Sequence, residues 1–546
     1  MVVNNRRLLN RQYYGQTILI VLISSAIVVA TVCLVIFKSI ENTDFPIESG
    51  LNSAWRWECE KNSCQKKRIT NDTEATALSL PACRLFCSDF GALWPKPTGN
   101  IIVGTLLIKV NAYSIDVVSN SSETAISNLV TAAAKEFKDD IIYPSIKSQI
   151  SSGGTPLFVT LNIANTSVSK LSLDTDESYI LSIKESDSGN MQAVITSPTF
   201  FGARNGLQTL SQLIIYDDLR SELQMPNNGY ITDKPAFPHR GIVLDTSRNY
   251  ISVDVIKRTL KAMGASKLNA FHWHITDTHS FPYVSKSRPQ LSKIGAYSPS
   301  KVYSNDDIKD IVEYAKVRGV KVIPEFDAPA HVGEGWQDTG FVVCLNAQPW
   351  QTYCVEPPCG QFDPTKDGLY DAIEDIYGDM LEQFDSDVFH MGGDEVKFTC
   401  WEQTPSITNW MAQKGWNKTE ADFVKLWNYF QTNALERLYK KAGREIPAIM
   451  WTSLLTTDEY LTSSLPKEKY IIQVWTTGTD NQINQLLENG YKIILSNYDA
   501  LYMDCGFGGW VTDGNNWCSP YIGWQKIYEN KPSRIAGKKN TMLLPC

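Results

Sequence analysis

Two adjacent carboxylates, Asp394 and Glu395, follow the apolar run Val-Phe-His-Met at 388–391 and the glycine pair Gly392 and Gly393. Glycines allow a sharp turn and a close approach of a ligand to the backbone. Two carboxyl groups held together cannot both ionise easily, so one pKa is raised and that group can act as an acid near neutral pH. Adjacent Asp and Glu residues are common on solvated surfaces, but an apolar strand before them is not typical of such a surface. The stretch therefore predicts a general acid–base pair that acts on a glycosidic or acyl bond.

The chain after Pro235 alternates between apolar strand patterns and amphipathic helix patterns. The predicted strands lie at 241–245, 268–275, 320–326, 388–391, 448–451, 470–475 and 491–495, and an eighth begins at 540–544. Ser252 and Ser304 are predicted to cap two of the intervening helices. Alternating units of this length favour a parallel sheet. Eight such units form a (β/α)8 TIM barrel, whose chemistry lies at the C-terminal ends of the strands.

Polar and aromatic side chains recur at the predicted C-terminal ends of these strands. They are Asp245 and Arg248 after the first strand, His272, His274 and Asp277 on the second, Glu325, Asp327 and His331 on the third, Trp451 and Trp475 on the fifth and sixth, and Tyr502, Asp504 and Trp517 after the seventh. Each residue alone fits a surface or a packed core, but their repetition at one end of successive strands does not. A pyranose ring packs its apolar face on aromatic side chains, while its hydroxyls need polar partners. The set therefore predicts a sugar-binding site.

A metal-dependent hydrolase on the same barrel is the alternative. His272 and His274 are two positions apart on one strand, so their side chains point the same way. Together with His331, His390 and Asp394 they suggest a metal cage. In metal-dependent hydrolases, however, a His-x-His pattern of this kind usually stands on the first barrel strand, whereas here it stands on the second. The sequence therefore favours a site without a metal or a cofactor.

The residues before the barrel, 54–235, predict a Cys-containing segment followed by a compact α/β domain. The domain has candidate strands at 114–118, 156–161, 179–183 and 192–196 and candidate helices at 124–137 and 200–213. Nothing in it suggests chemistry of its own. The catalytic part is therefore assigned to 236–546.

The stretch 17–37 contains no charged residue and is long enough to span a bilayer as a helix. Three arginines precede it, so 1–16 is predicted to be cytoplasmic. The polar stretch 38–53 then forms a stalk, and the protein is a single-pass type II membrane protein with a lumenal or extracellular body. A long cleaved signal sequence is the alternative, and the protein would then be secreted.

Charge and cysteine content restrict the compartment and the partners. The net charge of −8 provides no basic field, which excludes a nucleic-acid partner. Ten of the 12 cysteines form even local clusters in an exported chain, which is typical of disulfides. The first cluster, 59–87, loosely resembles a zinc site, but an oxidising compartment favours disulfides. Asn-x-Ser/Thr sequons predict glycosylation at Asn71, Asn120, Asn165 and Asn417.

The motif His-x-Gly-Gly-Asp-Glu at 390–395 resembles the active-site signature of the β-N-acetylhexosaminidases of glycoside hydrolase family 20. From about Ala54 onward the chain resembles the branch of insect chitooligosaccharide-degrading β-N-acetylglucosaminidases. The resemblance implies hydrolysis of terminal N-acetyl-D-hexosamine residues from chitooligosaccharides or N-glycans, without a cofactor. It also implies a small α/β domain before the barrel and a homodimer, the assembly usual in the family.

The resemblance implies a role for each residue of the set. Asp394 orients and polarises the acetamido group of the substrate, Glu395 is the general acid and base, and Tyr502 hydrogen-bonds the acetamido carbonyl. The other implied roles belong to Arg248 as the ligand of sugar hydroxyls, to Asp277 and His331 as partners of Glu395, to Trp451 and Trp475 as pocket walls, to Asp504 as a hydroxyl contact, and to Val355, Glu356 and Trp517 in the next subsite. The implied reaction is retaining, because the acetamido oxygen of the substrate serves as the nucleophile.

The same resemblance implies a disulfide pattern and a short C-terminus. The implied pairs are Cys344–Cys400, Cys354–Cys359 and Cys505–Cys518, with Cys59, Cys64, Cys83 and Cys87 paired among themselves. In the family, the eighth strand continues to a Trp-x-Glu motif and an eighth helix, whereas this chain stops at Cys546. The expectation is a truncated barrel that lacks the end of strand 8 and helix 8. A catalytically weak or inactive glycan-binding or regulatory protein is the alternative function.

Overall fold

The computed structural model describes residues 51–88, 92–147, 150–509, 513–537 and 543–545. The predicted cytoplasmic and membrane segments, and the stalk up to residue 50, lie outside these residues. Within the described parts, no helix is both long and apolar enough to cross a bilayer. The chain divides into two compact units, one with the described residues up to Cys83 together with Asp217–Ser221, and one with Arg84–Tyr216 and the described residues from Glu222 onward.

A short hairpin begins the described chain. Its strands β1 (Trp55–Glu60) and β2 (Ser63–Arg68) pair in antiparallel fashion. Lys61 and Asn62 between them have φ angles of 51° and 60°, which a two-residue turn of the hairpin type requires. A 3-10 turn at Asn71–Thr73 and helix α1 (Leu80–Phe86) follow.

An α/β domain follows the hairpin segment, as predicted. Its strands are β3 (Ile101–Val103), β4 (Leu107–Ser119), β5 (Thr155–Ile163), β6 (Tyr179–Glu185), β7 (Met191–Ser197), β8 (Ile215–Asp217), β9 (Glu222–Pro226) and β10 (Gly229–Asp233). Its helices are α2 (Thr124–Ile141), α3 (Pro144–Lys147) and α4 (Phe200–Leu213). The strands form a mixed sheet in the order β3-β10-β6-β7-β5-β4-β9-β8. The strands β3 and β8–β10 were not predicted, because such short strands carry too few residues for a clear alternation of burial.

The larger part of the chain forms the predicted barrel. Its strands are β11 (Gly241–Asp245), β12 (Ala270–Thr276), β13 (Lys321–Phe326), β16 (Phe389–His390), β17 (Ala448–Trp451), β18 (Tyr470–Val474), β19 (Lys492–Leu495) and β20 (Leu543–Pro545), and β14 (Val342–Val343) pairs with β15 (Gln361–Phe362) in a connecting loop. Among the described residues, these eight barrel strands form one sheet in chain order, and every neighbouring pair is parallel. The fold class predicted from the sequence is thus confirmed.

Helices connect the barrel strands. They are α5 (Val253–Ala265), α6 (Gln290–Gly295), α7 (Asn305–Val317), α8 (Trp350–Tyr353), α9 (Asp367–Phe384), α10 (Phe398–Glu402), α11 (Pro405–Gln413), α12 (Glu420–Ala442), α13 (Leu461–Ser464), α14 (Asn481–Glu488), α15 (Tyr498–Leu501), α16 (Trp524–Glu529) and α17 (Pro532–Ala536), with a 3-10 turn at Leu454–Thr456. Ser304 caps α7, since its side chain accepts a hydrogen bond from the backbone of Asp307. Ser252 is the N-cap residue of α5, as predicted, although its side chain makes no capping hydrogen bond.

The barrel interior is closed by a layer of aliphatic side chains. The layer contains one residue on or next to each of six neighbouring strands, namely Ala270, Ile323, Val388, Ile449, Ile471 and Ile494. These side chains are at most 2% exposed. Layers of this kind make a barrel a packed core and not a pore. Polar groups at the C-terminal ends of the strands therefore stand on a rigid support.

The cysteines pair as predicted wherever the structure shows a partner. The disulfides are Cys64–Cys83, Cys344–Cys400, Cys354–Cys359 and Cys505–Cys518. Cys59 and Cys87 are disulfide-bonded as well. The first cluster therefore consists of disulfides, and its interpretation as a zinc site is wrong.

The disulfides should differ in how much they stabilise the protein, because a cross-link that closes a longer loop removes more entropy from the unfolded chain. Cys344 and Cys400 are 56 residues apart, whereas Cys354 and Cys359 are 5 apart. We expect replacement of the first pair by alanine to lower the free energy of unfolding by about 4 kcal/mol and replacement of the second pair by about 2 kcal/mol. Denaturant unfolding followed by tryptophan fluorescence measures both, and a larger loss for the shorter loop would contradict the expectation.

Candidate active site

The two glycines before the acidic pair form the sharp turn that the sequence predicts. After β16, Gly392 and Gly393 have φ angles of 64° and 82°, which favour glycine. The amide of Gly393 donates a hydrogen bond of 2.8 Å to Oδ1 of Asp327. A Cβ atom on Gly392 would lie 1.7 Å from the same oxygen. The turn therefore needs glycine both for its backbone and for the approach of Asp327.

Asp394 is a buried carboxyl group with a raised pKa. Burial raises its pKa to about 6; the positive charge of His331 opposes this rise, and the charge of Glu395 adds to it. Asp327 is buried as well, and burial together with the charge of Asp394 raises its pKa well above the ordinary range. A hydrogen bond from Asp327 favours the ionised form of Asp394. We infer that Asp327 holds the proton of this pair and that Asp394 is the carboxylate.

Glu395 lies at the end of a row of alternating carboxyl and imidazole groups. Its Oε2 atom is 3.3 Å from Nε2 of His331, and Nδ1 of His331 is 3.2 Å from Oδ2 of Asp277. Burial would lower the pKa of His331, but the charges of Asp277, Asp327 and Asp394 raise it well above its ordinary value. The structure thus brings together the residues that were predicted as partners of Glu395.

Glu395 and His331 both have left-handed backbones, with φ angles of 54° and 56°. Such a conformation costs a residue other than glycine about 1–3 kcal/mol and is found most often at functional sites. The acid and its imidazole partner are therefore held in place by the surrounding fold, against their own backbone preference.

Arg248 is surrounded by three carboxylates. Its Nη1 atom is 2.5 Å from Asp245, its Nε donates a bond of 3.0 Å to Glu356, and its Nη2 is 3.3 Å from Asp277. Burial would lower the pKa of Arg248, but the charges of Asp277, Asp245 and Glu356 raise it well above its ordinary value. The guanidinium group is therefore fixed before any sugar hydroxyl reaches it. Asp245 was not assigned a role from the sequence, although its place at a strand end was a signal.

The predicted aromatic walls differ in their exposure. Trp451 is 7% exposed, and its Nε1 donates a bond of 2.7 Å to Glu325. The indole of Trp475 donates to the carbonyl oxygen of the residue after Trp451 at 2.7 Å. Trp517 is 57% exposed, and its ring centroid lies 6.4 Å from that of Trp475 and 6.2 Å from that of Tyr502, edge to face in both cases. The structure thus places Trp475, Trp517 and Tyr502 on one rim.

Tyr502, Asp504 and Val355 complete the predicted set. Burial, followed by the charges of Asp394 and Asp504, raises the pKa of Tyr502, so its hydroxyl stays protonated and can donate a hydrogen bond. Asp504 is exposed and lies 3.4 Å from the side-chain amide of Asn516, which donates to it. Val355 is 47% exposed. The subsite roles of Asp504 and Val355 stay predictions.

Glu325 is hydrogen-bonded both to the histidines of β12 and to Trp451. The carboxylate is fully buried, and its Oε2 is 2.7 Å from Nε2 of His272 and 2.8 Å from Nδ1 of His274. Burial would raise the pKa of Glu325, but its interactions with His390, His274 and His272 lower it well below its ordinary value. His272, Glu325 and His390 are close enough to hold a metal ion. Of these groups, His272 is hydrogen-bonded to Glu325 at 2.7 Å, whereas Nδ1 of His390 accepts a hydrogen bond of 3.0 Å from the amide of Gly392. The role of Glu325 was not predicted, because pairing across strands is not visible in one sequence.

The described histidines do not assemble the metal cage considered from the sequence. His272 and His390 stack on each other with ring centroids 4.2 Å apart. His331 lies instead beside Asp277 and Glu395. The polar cluster is therefore one of hydrogen-bonded acids and imidazoles that surround two unlike carboxyl groups, which suits general acid–base chemistry on a sugar.

Comparison with known proteins agrees with this chemistry. Residues 237–542 match the family model described as the glycosyl hydrolase family 20 catalytic domain, and residues 93–213 match one described as beta-acetyl hexosaminidase like. The chain is 52% identical over 508 residues to a chitooligosaccharidolytic beta-N-acetylglucosaminidase of Bombyx mori, which covers 92% of this chain and 85% of that protein. It is 52% identical over 489 residues to the protein of the same name from Ostrinia furnacalis, covering 88% and 81%.

Solved structures share the fold. A GH20 exo beta-N-acetylglucosaminidase from Vibrio harveyi, solved in complex with N-acetylglucosamine, superposes with a TM-score of 0.64. The match covers 83% of this chain and 68% of that chain at 21% sequence identity. At this level of identity the likeness shows the shared architecture.

The close contact between Gly392 and Asp327 can be tested by substitution. Gly392→Ala should lower the free energy of unfolding by about 1–2 kcal/mol for the left-handed backbone and by about 1–3 kcal/mol more for the crowded contact with Asp327. Gly415→Ala is the matched control, because Gly415 also has a positive φ, 73°, but a Cβ there would meet nothing within 4 Å. Denaturant unfolding of both variants measures the difference, and equal losses would show that the contact with Asp327 does not restrict the turn.

Proposed function

The chain belongs to glycosyl hydrolase family 20 and is a β-N-acetylhexosaminidase, and we propose that Asp394 and Glu395 together remove the terminal β-linked N-acetylhexosamine residue from chitooligosaccharides. The observation that carries the proposal is the placement of both carboxyl groups beside one imidazole. Nε2 of His331 is 3.3 Å from Glu395 and 3.9 Å from Asp394. The choice of chitooligosaccharides is supported by the names of the two relatives that are 52% identical to this chain.

The proposed reaction retains the anomeric configuration, because the substrate supplies the nucleophile. The acetamido oxygen attacks C1 while Glu395 protonates the leaving oxygen, so that an oxazolinium-like intermediate forms. Asp394 as a carboxylate stabilises the positive charge that develops on the acetamido nitrogen, and the hydroxyl of Tyr502 donates to the acetamido oxygen. Glu395 then takes a proton from the water that opens the intermediate.

The protonation of the site suits these roles. Asp394 is needed as a carboxylate, and the proton on Asp327 together with the imidazolium of His331 favours that form. Because the raised pKa of Asp394 is about 6, the carboxylate predominates only above that pH. The proposed activity should therefore fall as the pH is lowered through about 6.

The remaining residues are proposed to hold the sugar rings. Trp451 and Trp475 would enclose the ring that is released, with Arg248 and Asp504 on its hydroxyls. Val355, Glu356 and Trp517 would hold the following ring, and the exposed indole of Trp517 offers that ring a flat apolar face. A glycan-binding protein without turnover is not favoured, because one imidazole, that of His331, lies 3.3 Å from Glu395 and 3.9 Å from Asp394, and sugar binding alone does not need this arrangement.

The assay of purified full-length protein on a chromogenic β-N-acetylglucosaminide tests the proposal. We expect Asp394→Ala and Glu395→Gln each to lower kcat at least ~10²-fold, as the loss of an acid–base or charge-stabilising group does. Glu402→Gln is the matched control, since Glu402 is an exposed glutamate on α10. A thiazoline analogue of the oxazolinium-like intermediate should bind more tightly than N-acetylglucosamine. Equal affinities, or equal activity of all the variants, would contradict the proposed mechanism.

We also propose that 17–37 anchors the protein with its catalytic part outside the cytosol. The uncharged length of that stretch and the arginines before it support this orientation. The disulfides of the barrel suit an oxidising compartment. Full-length protein in a membrane fraction should resist extraction at alkaline pH, whereas a chain that begins at residue 38 behind a cleavable signal should be released. A mature N-terminus beyond residue 37 on the retained protein would contradict the anchor.

A further inference from the structure

The contacts of Glu395 do not end at its immediate partners. Beyond His331, the carboxylate of Asp277 is 2.9 Å from Nε2 of His274, and Nδ1 of His274 is 2.8 Å from Oε2 of Glu325. Every step of this row joins an imidazole nitrogen to a carboxylate oxygen, at 2.8–3.3 Å. A continuous row therefore connects the acid at the mouth of the barrel to a fully buried carboxylate beneath it.

His274 is bonded to a carboxylate through both ring nitrogens. An ionised carboxylate only accepts hydrogen bonds, so both nitrogens of His274 must carry protons to satisfy Asp277 and Glu325. The ring is then an imidazolium, although it is only 6% exposed. Burial would lower the pKa of His274, but the charges of Glu325 and Asp245 and the bond to Asp277 raise it well above its ordinary value.

The strands on both sides of β12 supply the charges that face His274. Asp245 is its register partner on β11, and Glu325 is its register partner on β13. Asp327, which follows β13, also interacts with the charge of His274, but it holds the proton of the Asp327–Asp394 pair and is therefore neutral. On the same element as His274, Asp277 follows β12 directly, and the ring of His272 lies two residues before His274. Acidic groups thus outnumber cationic ones around the ring, which stabilises the imidazolium.

We propose that His274 is a positioning residue for the reaction. As a buried imidazolium between Glu325 and Asp277, it orients Asp277, which orients His331 against Glu395, and its positive charge sets the pH range in which the catalytic carboxyl groups have the required protonation. This inference rests on the proposed roles of Asp394 and Glu395.

His272 provides a matched control on the same strand. It lies two residues from His274, is buried as well, and bonds to the same oxygen of Glu325 at 2.7 Å. Burial, with the charge of His390, lowers the pKa of His272 to about 4, so its ring is neutral near neutral pH. Its described contacts do not include Asp277. Loss of His272 therefore removes a buried ring and a bond to Glu325 without removing the proposed charge or interrupting the row.

The experiment compares the pH dependence of kcat/KM for full-length wild type, His274→Gln and His272→Gln on the chromogenic substrate. Removal of a positive charge makes nearby carboxyl groups release their protons at higher pH. His274→Gln should therefore move both limbs of the profile upward by about 0.5–1 pH unit and lower kcat at least ~10-fold with little change in KM. His272→Gln should keep both limbs in place.

The outcomes separate this inference from the proposed function. If wild-type protein is active and Glu395→Gln is not, the function holds. If the limbs then stay in place in His274→Gln, or move equally in both histidine variants, the role of His274 is overturned. If neither histidine variant folds, neutron diffraction on wild-type crystals near pH 7.5 decides. Deuterons on both ring nitrogens of His274 support the proposal, and a deuteron on one nitrogen alone overturns it.

Discussion

A carboxylate without exposed surface, Glu325, is the constraint on which the active site depends. A buried charge is costly unless partners surround it, and removal of one partner leaves the charge uncompensated. Here the partners come from other strands, with His272 and His274 on β12 and Trp451 at the end of β17. The need to satisfy one carboxylate therefore fixes the relative positions of several strand ends. The wall of the sugar pocket and the partners of the acid are held by the same group.

The aliphatic layer below this cluster stabilises the barrel, and this stability compensates for strained backbone conformations at the active site. Glu395 and His331 adopt left-handed backbones that an isolated chain would avoid. In the turn before the acid pair, the side chain of Asp327 leaves no room for a Cβ atom on Gly392. These local costs are tolerated because the strands that carry the residues are packed on both faces. The strain is thus located at the loops, while the stability comes from the barrel.

The sequence was sufficient to predict the barrel, the strand ends and the acidic pair, because these depend on local patterns. The two-residue spacing of His272 and His274 already placed both side chains on one face of a strand. It did not reveal that Glu325 faces them, because the two strands are about fifty residues apart in the chain and their register depends on packing. For the same reason Arg248 was predicted as a ligand of sugar hydroxyls, but its enclosure by Asp245, Asp277 and a loop glutamate was not.

The protonation of the acid pair shows why neighbours in sequence are less informative than neighbours in space. Adjacency predicts that one carboxyl of the pair has a raised pKa, and the structure places a raised pKa on Asp394, whose surroundings include the buried Asp327 from another strand. Two carboxyl groups in contact share one proton most favourably, and the more buried of them retains it. In the proposed mechanism, positive charge develops on the acetamido nitrogen of the substrate and favours the carboxylate form of Asp394 further. In that mechanism the proton stays on Asp327, which has no proposed role in the reaction, and Asp394 keeps its negative charge at the step in which the charge is used.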